Sequence, residues 1–367
     1  MTIATSYRCA VLSVAKHDYV AQGVAAHPRF ELVVVADDPD VPDWVHERNQ
    51  IFADHHRIPY VRDVDKALRE HQVQVAIVSS EAERHCELSI RAAMAGLHII
   101  QDKPMSTRLS ECDRLVEAIE HSGVRFLMWN RNGLPSIQQA SRQIASGAIG
   151  RPIAVHIDFY FAKDCGPPKG SRKPGYPPMN WLDHQIASHV DGSDGGLGRE
   201  PMGEMAIEGI YPLGYIQTLT RADVHRVFAR ATAHFHQLYC DNNVEDLASI
   251  TLQMTDGLIA TMAIGRIGLA SHHSGGEIKL HILGTEGALV INESRPDIGV
   301  YYRGQPAREP RRRRLANEND FYLADHFGNA IDNGSPTLMD ARKSREIFKV
   351  FAAAAESCRT GQPVEVR

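Results

Sequence analysis

The chain has 367 residues, of which 43% are hydrophobic and 23% charged, so it is long enough to form two globular domains. Its formal net charge of -5 gives no basis for binding nucleic acid or an anionic membrane, and no apolar run is long enough to span a bilayer. The six cysteines show no C-x-x-C spacing and the first residues do not resemble a signal peptide, which together predict a cytoplasmic protein.

The first third of the chain alternates short apolar runs with helical segments. Strands are predicted at residues 9–14, 31–37, 74–78, 97–100 and 124–127, with helices at 18–26, 82–95 and 109–121. Runs rich in valine and isoleucine are typical of parallel strands covered on both faces, and their alternation with helices predicts a doubly wound parallel sheet. Residues 1–128 are therefore predicted to form an α/β domain of the dinucleotide-binding, or Rossmann, type.

The turn after the first strand differs from the usual phosphate-binding turn. Where G-x-G-x-x-G is expected, the chain has Ser13-Val14-Ala15-Lys16-His17-Asp18. Without glycine, Ala15 is expected to crowd a pyrophosphate and Asp18 to repel it. The segment from Ser13 to His17 is still predicted to contact the cofactor, with Lys16 and His17 as phosphate donors. The alternative is that Asp18 only caps the following helix and Lys16 is solvated.

Asp37 ends the second predicted strand. An acid at this place accepts hydrogen bonds from the adenosine ribose, so it predicts NAD and makes NADP the less favoured cofactor, because a 2'-phosphate would meet a carboxylate. Asp38 adds to that repulsion. The alternative is an acidic turn residue that caps the next helix.

Lys103 follows the fifth predicted strand and precedes Pro104. Open α/β sheets bind ligands at the carboxyl ends of their strands, so this position predicts an active-site lysine. The alternative is a surface lysine in a strand-to-helix turn.

After Pro152 apolar and polar residues alternate, which predicts strands at 153–161, 224–233, 247–254, 258–265, 278–283 and 288–291. Residues 129–367 are therefore predicted to form an α+β domain with a large, mostly antiparallel sheet, one face of which is open. A Pro/Gly-rich insert from Cys165 to Gly203 is predicted to be either disordered or a functional lid, and in a lid Trp181 and His184 would bind a sugar-like substrate. The 19 histidines include no group at metal-ligand spacing, so no metal is predicted.

Several motifs occur together in order along nearly the whole chain. They are Asp102-Lys103-Pro104, Ser79-Ser80-Glu81-Ala82-Glu83-Arg84-His85, Trp129-Asn130-Arg131, Ser146-Gly147-Ala148-Ile149-Gly150-Arg151-Pro152 and Asn243-Val244-Glu245-Asp246. In this order and spacing they resemble the Gfo/Idh/MocA family of oxidoreductases. The resemblance implies that NAD is contacted by Ser79, His85, Asp102, Lys103 and Asn130, and that the chain forms a homo-oligomer, a dimer or a tetramer.

The segment Gly203–Leu213 resembles the family's G-G-x-x-x-D-x-G-x-[HY]-P helix. Tyr211 falls on the catalytic His or Tyr, whereas Ile207 falls on the usual aspartate, so a carboxylate is missing unless Glu208 or Glu204 supplies it. Glu208 is therefore predicted to bind substrate. The alternative for Tyr211 is a core aromatic residue on a packed helix.

The function predicted from these residues is hydride transfer between NAD and a secondary hydroxyl or ketone of a sugar, polyol or glycoside. Lys103 would polarise the substrate oxygen and Tyr211 would move the proton. Two alternatives stay open: glycoside cleavage that recycles bound NAD without net oxidation, and a non-catalytic sensor or scaffold with the same fold.

Overall fold

The computed structural model describes residues 6–161, 203–234, 237–266, 276–293, 297–303 and 318–366. The chain divides into two compact units. The first contains residues 1–130 and 319–348, and the second contains residues 131–318 and 349–367. Each unit has its own sheet.

The first unit contains a six-stranded parallel sheet in the order β3-β2-β1-β4-β5-β6. Its strands are β1 (Tyr7–Leu12), β2 (Phe30–Ala36), β3 (Tyr60–Val61), β4 (Val75–Val78), β5 (His98–Gln101) and β6 (Phe126–Met128). Its helices are α1 (Tyr19–Ala25), α2 (Asp43–His56), α3 (Val64–Glu70), α4 (His85–Met94) and α5 (Leu109–Ser122). The predicted doubly wound sheet is confirmed, and its order reverses between β1 and β4, where such sheets bind ligands.

The centre of this sheet is fully buried. Val11 of β1 is paired with Val35 of β2 on one side and Ile77 of β4 on the other, and none of the three has exposed surface. Strands covered on both faces need apolar residues at every position, which explains the continuous valine and isoleucine runs.

The first unit also includes a late segment of the chain. Helix α10 (Asn319–Asn333) packs on α1, where Gly23 lies close to Asp320 and to the ring of Trp129. The predicted boundary assigned everything after residue 128 to the second domain, and the structure differs because α10 buries Phe327 in the first unit, beside Phe30.

The second unit contains an eight-stranded sheet in the order β13-β12-β11-β7-β10-β9-β8-β14. Its strands are β7 (Pro152–Phe161), β8 (Val224–Thr232), β9 (Leu247–Met254), β10 (Ile259–Arg266), β11 (Gly276–Gly284), β12 (Gly287–Asn292), β13 (Asp297–Tyr302) and β14 (Val364–Glu365). Within the described strands of this second sheet, only β7 and β10 pair in parallel. The predicted mostly antiparallel sheet is therefore confirmed.

One face of this sheet is buried and the other is open. In β9 every second residue from Ala248 to Met254 is buried, while Ser249, Thr251 and Gln253 are exposed. The unit's helices are α6 (Pro135–Ala145), α7 (Glu204–Ile207), α8 (Ile210–Thr220) and α9 (Gln237–Asp241), and α11 (Ala341–Thr360) is divided between the two units. No helix in the described residues is long and apolar enough to cross a membrane.

Candidate functional site

The turn after β1 is tight although it contains no glycine. Ser13 has a φ of 65°, in the left-handed region that glycine usually supplies, and its backbone N–H donates to Ala36 O (3.0 Å). The Ser13 hydroxyl accepts from the N–H of Ala15 (3.2 Å), and the Val14 N–H donates to Asn49 Oδ1 (2.8 Å). Side-chain hydrogen bonds therefore hold a conformation that glycine would adopt without them.

Lys16 and His17 are both directed at Asp102, which follows β5. Lys16 Nζ lies 3.9 Å from Asp102 Oδ2 and donates to the backbone carbonyl of Lys103. His17 Nδ1 lies 2.6 Å from the same carboxylate, and Tyr19 donates its hydroxyl to Oδ1 (3.2 Å). The Lys16 side chain is fully buried, so it is not solvated, and its predicted contact with phosphate stays a prediction. Asp18 occupies the N-cap position of α1 without a side-chain capping bond.

These neighbours keep Asp102 ionised inside the protein. Burial alone would raise the pKa of Asp102, but the positive charge of Lys16, with help from His17, lowers it below its usual range. Burial lowers the pKa of His17, against the opposing influence of Asp102, so His17 is neutral near pH 7. The buried charge pair is therefore Lys16 and Asp102.

The backbone around Lys103 is fixed on both sides. The Lys103 N–H donates to Asp102 Oδ1 (2.7 Å), and a cis peptide bond joins Lys103 to Pro104. His85 Nδ1 lies 2.7 Å from Pro104 O and its Nε2 lies 2.9 Å from Ser80 O. Burial, together with the charge of Lys16, lowers the pKa of His85 to about 4. The segment that carries Lys103 is therefore held by the ionised carboxylate of Asp102 on one side and by the neutral ring of His85 on the other.

Asp37, after β2, has no exposed surface. It accepts from Asn49 Nδ2 (2.8 Å), from the Asp38 N–H (2.9 Å) and from Arg84 Nη2. The alternative that it caps the next helix is wrong, because α2 begins at Asp43. Asn49 connects Asp37 to the turn at Val14, so one side chain ties two predicted cofactor contacts together.

Two further observations fit a dinucleotide in the first unit. Ser79, directly after β4, is fully buried, and its hydroxyl has no hydrogen-bond partner among the residues described here. Its carbonyl accepts from the Lys16 N–H (3.2 Å), which places Ser79 beside the turn. Asn130, also predicted to contact the cofactor, is buried and its carbonyl accepts from Asn319 Nδ2 (2.8 Å). These residues would hold the dinucleotide along the carboxyl edge of the sheet.

In the second unit, Tyr211 lies in the first turn of α8 and is nearly buried. Its ring lies 5.8 Å from the ring of Phe159 and 5.8 Å from the guanidinium carbon of Arg131. Arg131 forms an ion pair with Glu293, which also accepts from the Tyr215 hydroxyl (2.6 Å). Tyr211 is therefore packed on one side, as its alternative interpretation expects, but it also faces a charged group.

The predicted single helix before Tyr211 is two helices. Helix α7 ends at Ile207, and α8 begins after Gly209, where a side chain would overlap the carbonyl of Met205. Ile207 is buried, and α7 packs on β9 and β10. Glu208 and Gly209 separate the two helices, so Ile207 and Tyr211 lie on different helices.

Arg266 lies against the two carboxylates that were expected to replace the missing aspartate. Its Nε lies 2.8 Å from Glu204 Oε1, and its Nη2 lies 3.4 Å from Glu208 Oε1. Glu204 is fully buried and Glu208 is largely buried. The predicted contact of Glu208 with substrate stays a prediction, and in this structure its partner is Arg266.

Glu245 borders the same group of charges. Its Oε1 accepts from the Met205 N–H (3.2 Å), and its carboxylate lies against Gly203, where a Cβ would overlap it. Burial raises the pKa of Glu245 to about 7, and the charges of Glu204 and Asp246 act in the same direction. Glu245 therefore loses its proton near neutral pH.

Trp181 and His184, predicted to bind substrate, lie outside the described residues. Sequence reasoning missed the residues that position the others, which are Asn49, Arg84, Arg131, Arg266 and Glu293. Arg84 and Arg131 were visible within the Ser79–His85 and Trp129-Asn130-Arg131 motifs, whereas the other three carry no local signal.

The chain matches two family models. Residues 14–130 match the Gfo/Idh/MocA oxidoreductase family model described as an NAD-binding Rossmann fold, and residues 198–290 match the Gfo/Idh/MocA C-terminal domain. Together the two models match more than half of the chain, and the matched residues include motifs in both units.

Three similar proteins match this chain over most of their length. The scyllo-inositol 2-dehydrogenase (NAD(+)) of Bacillus subtilis is 22% identical over 369 residues, which cover 98% of this chain and 96% of the relative. The uncharacterized oxidoreductase YrbE of Bacillus subtilis is 23% identical over 332 residues, or 89% of this chain and 88% of the relative. The crystal structure of levoglucosan dehydrogenase with NADH has a TM-score of 0.79 at 19% identity, covering 99% of this chain and 100% of that one.

The predicted family resemblance and the predicted cofactor are confirmed by these matches. The chain belongs to the Gfo/Idh/MocA family of oxidoreductases, and its first unit is the NAD-binding Rossmann domain of that family.

Proposed function

We propose that this oxidoreductase transfers a hydride between NAD and a secondary hydroxyl or ketone carbon of a sugar, polyol or glycoside. The observation that carries the proposal is Lys103, a lysine fixed at the carboxyl end of β5 by Asp102 and Lys16. The names of relatives support the substrate class, since one acts on scyllo-inositol and a structural neighbour on levoglucosan.

Lys103 would donate to the substrate oxygen and stabilise the negative charge that develops there. Tyr211 would accept the hydroxyl proton on its phenolate oxygen during oxidation and return it from the resulting phenol during reduction. When bound, NAD accepts or supplies the hydride. Asp102 and Lys16 hold the backbone of Lys103, whereas Arg131 and Phe159 hold the ring of Tyr211.

The test measures the turnover of a panel of inositols, levoglucosan and hexoses, with the absorbance of NADH as the readout. Lys103→Ala and Tyr211→Phe should each lower kcat by about 100-fold or more, because each removes a proton-handling group. Tyr211→Phe should also leave the Kd of NAD, measured by calorimetry, within about threefold of the unmodified chain. Lys66→Ala, at an exposed lysine of α3, and Tyr322→Phe, at a tyrosine on the surface of α10, are the matched controls.

If both site variants keep near full turnover on a verified substrate, the proposed roles are wrong. Product formed without accumulation of NADH would support the redox-neutral cleavage of a glycoside instead. Binding of NAD without turnover of any substrate in the panel would favour the sensor interpretation.

We also propose that the chain forms a homo-oligomer through the open face of the second sheet. Phe228, Ile259 and Leu283 are large apolar side chains exposed on that face. Light scattering should show a dimer or tetramer, and Ile259→Lys should shift it towards the monomer. We also propose that the protein is located in the cytoplasm. The five described cysteines are all free thiols, which supports a reducing compartment.

A further inference from the structure

Arg84 covers the carboxylate that was expected to select NAD. It precedes α4, and its Nη2 donates to Asp37 Oδ1. The Asp37 side chain has no exposed surface, whereas 22% of the Arg84 side chain is exposed. Arg84 is therefore the solvent-exposed member of this ion pair.

The hydrogen-bonding capacity of Asp37 is largely used within the protein. A carboxylate has about four lone-pair positions. Three of them already accept, from Arg84 Nη2, from the Asp38 N–H and from Asn49 Nδ2. Asp37 can thus accept about one more hydrogen bond, although a ribose diol offers two hydroxyl donors.

Arg84 also carries unused donors. Its Nη1 is buried, and in the described part of the chain it has no hydrogen-bond partner. Glu81 Oε2 lies 3.8 Å from this nitrogen, close enough for charge attraction but too far for a hydrogen bond. A buried N–H without an acceptor is costly, so a ligand oxygen that reaches it would bind favourably.

The second acid in this region is neutralised too. Arg91, in the last turn of α4, donates to both oxygens of Asp38, from Nη1 (2.7 Å) and from Nη2 (3.0 Å). Neither Asp37 nor Asp38 therefore presents an uncompensated negative charge. The guanidinium groups of Arg84, just before α4, and of Arg91, within α4, therefore reduce the repulsion that the sequence predicts for a 2'-phosphate.

We infer that Arg84 is a specificity-determining residue for the adenosine half of the cofactor. It screens Asp37 and offers its free N–H groups to ribose or phosphate oxygens, so the preference of this chain for NAD over NADP is small. The inference concerns nucleotide binding alone and does not need the substrate to be known.

The test is calorimetry of the full chain with NAD+ and NADP+. In Arg84→Gln the carboxylate of Asp37 loses its cation, so the ratio of the NADP+ Kd to the NAD+ Kd should rise by about tenfold. Arg84→Lys keeps the positive charge and should leave the ratio within about threefold of the unmodified chain. Arg114→Gln removes an exposed arginine of α5 and is the charge-matched control.

A ratio that stays within about twofold in Arg84→Gln, or that falls, would overturn the inference. Because that variant leaves Asp37 buried without its cation, its folding is checked by thermal unfolding. The unmodified chain supplies a second test, with 5'-AMP and 2',5'-ADP as probes. We expect 2',5'-ADP to bind within about tenfold of 5'-AMP, and binding of 5'-AMP alone would contradict the role of Arg84.

Discussion

The surroundings of the carboxylates shift their pKa values in opposite directions in the two units. After β5, the single carboxylate of Asp102 is surrounded by donors, among them the buried ammonium of Lys16, and its pKa is lowered. Around α7, one guanidinium, that of Arg266, serves both Glu204 and Glu208, and the pKa of Glu245 nearby is raised. At the first site one ammonium balances one carboxylate, whereas at the second one guanidinium serves two carboxylates and a third, that of Glu245, lies nearby.

This difference predicts opposite responses to pH. Since the folded pKa of Asp102 is lowered, its contribution to stability is present above the unfolded pKa and is lost as pH falls. Since the folded pKa of Glu245 is raised from 4.5 to about 7, its cost is absent in acid and grows as pH rises between those values. Acid should therefore weaken the first unit, whereas the second unit should lose stability as pH rises from 4.5 to about 7.

The largest effect is expected from Asp102→Asn. The amide leaves the ammonium of Lys16 buried without a counter-charge, which costs about 3–5 kcal/mol in the free energy of unfolding of the first unit. Urea unfolding followed by tryptophan fluorescence measures it, because Trp129 is buried in this unit.

Two controls accompany that measurement. Lys16→Met combined with Asp102→Asn removes both charges and should restore much of the lost stability. Asp113→Asn breaks a partly exposed ion pair with Arg345 and should cost no more than about 1 kcal/mol. A loss for Asp102→Asn as small as that of Asp113→Asn would remove the buried pair from the comparison.

The next effect has the opposite sign. Glu245→Gln removes the charge but keeps an oxygen for the Met205 N–H, so it should stabilise the second unit by up to about 3 kcal/mol above pH 7 and change little at pH 5. Scanning calorimetry at both pH values checks this. An equal effect at both would show that Glu245 does not titrate in the folded chain.

The smallest effect is expected from His17→Ala. Burial lowers the pKa of His17, so its contact with Asp102 at pH 7 and above is a hydrogen bond from a neutral ring, and its loss should cost about 1 kcal/mol. The cost should be roughly the same at pH 7.5 and pH 9, because a neutral donor does not change its charge between these values. A cost that shrinks towards pH 9 would mean that His17 is charged and shares the role of Lys16.

The sequence predicted the elements whose patterns are local. Apart from β13, each long strand of both sheets lies within a few residues of its predicted position, because the strands of the first sheet are continuously apolar and those of the second alternate. The elements that were not predicted are helices α2, α3, α6, α9, α10 and α11 and strands β3, β13 and β14. Several of them pack on elements distant in the chain, as α10 does on α1, and no local pattern reports such contacts.

Part of the candidate site was also readable from the sequence. Lys103 and Asp37 follow strands, so their places at the edge of the sheet were predictable. The contact of Lys16 with Asp102 joins distant parts of the chain, as does that of Asp37 with Arg84, and no local pattern reports such pairs. The break at Gly209 was missed because the segment was matched to one continuous helix.

The position of α10 has a consequence for how the protein is made. Residues 319–333 complete the first unit, since Arg29 and Tyr7 both bond to Asp332, and Phe327 is fully buried there. The ribosome synthesises the six parallel strands long before it reaches this helix. The first unit therefore leaves the ribosome with its α10 surface uncovered, and it reaches its final packing only after most of the second unit has been translated.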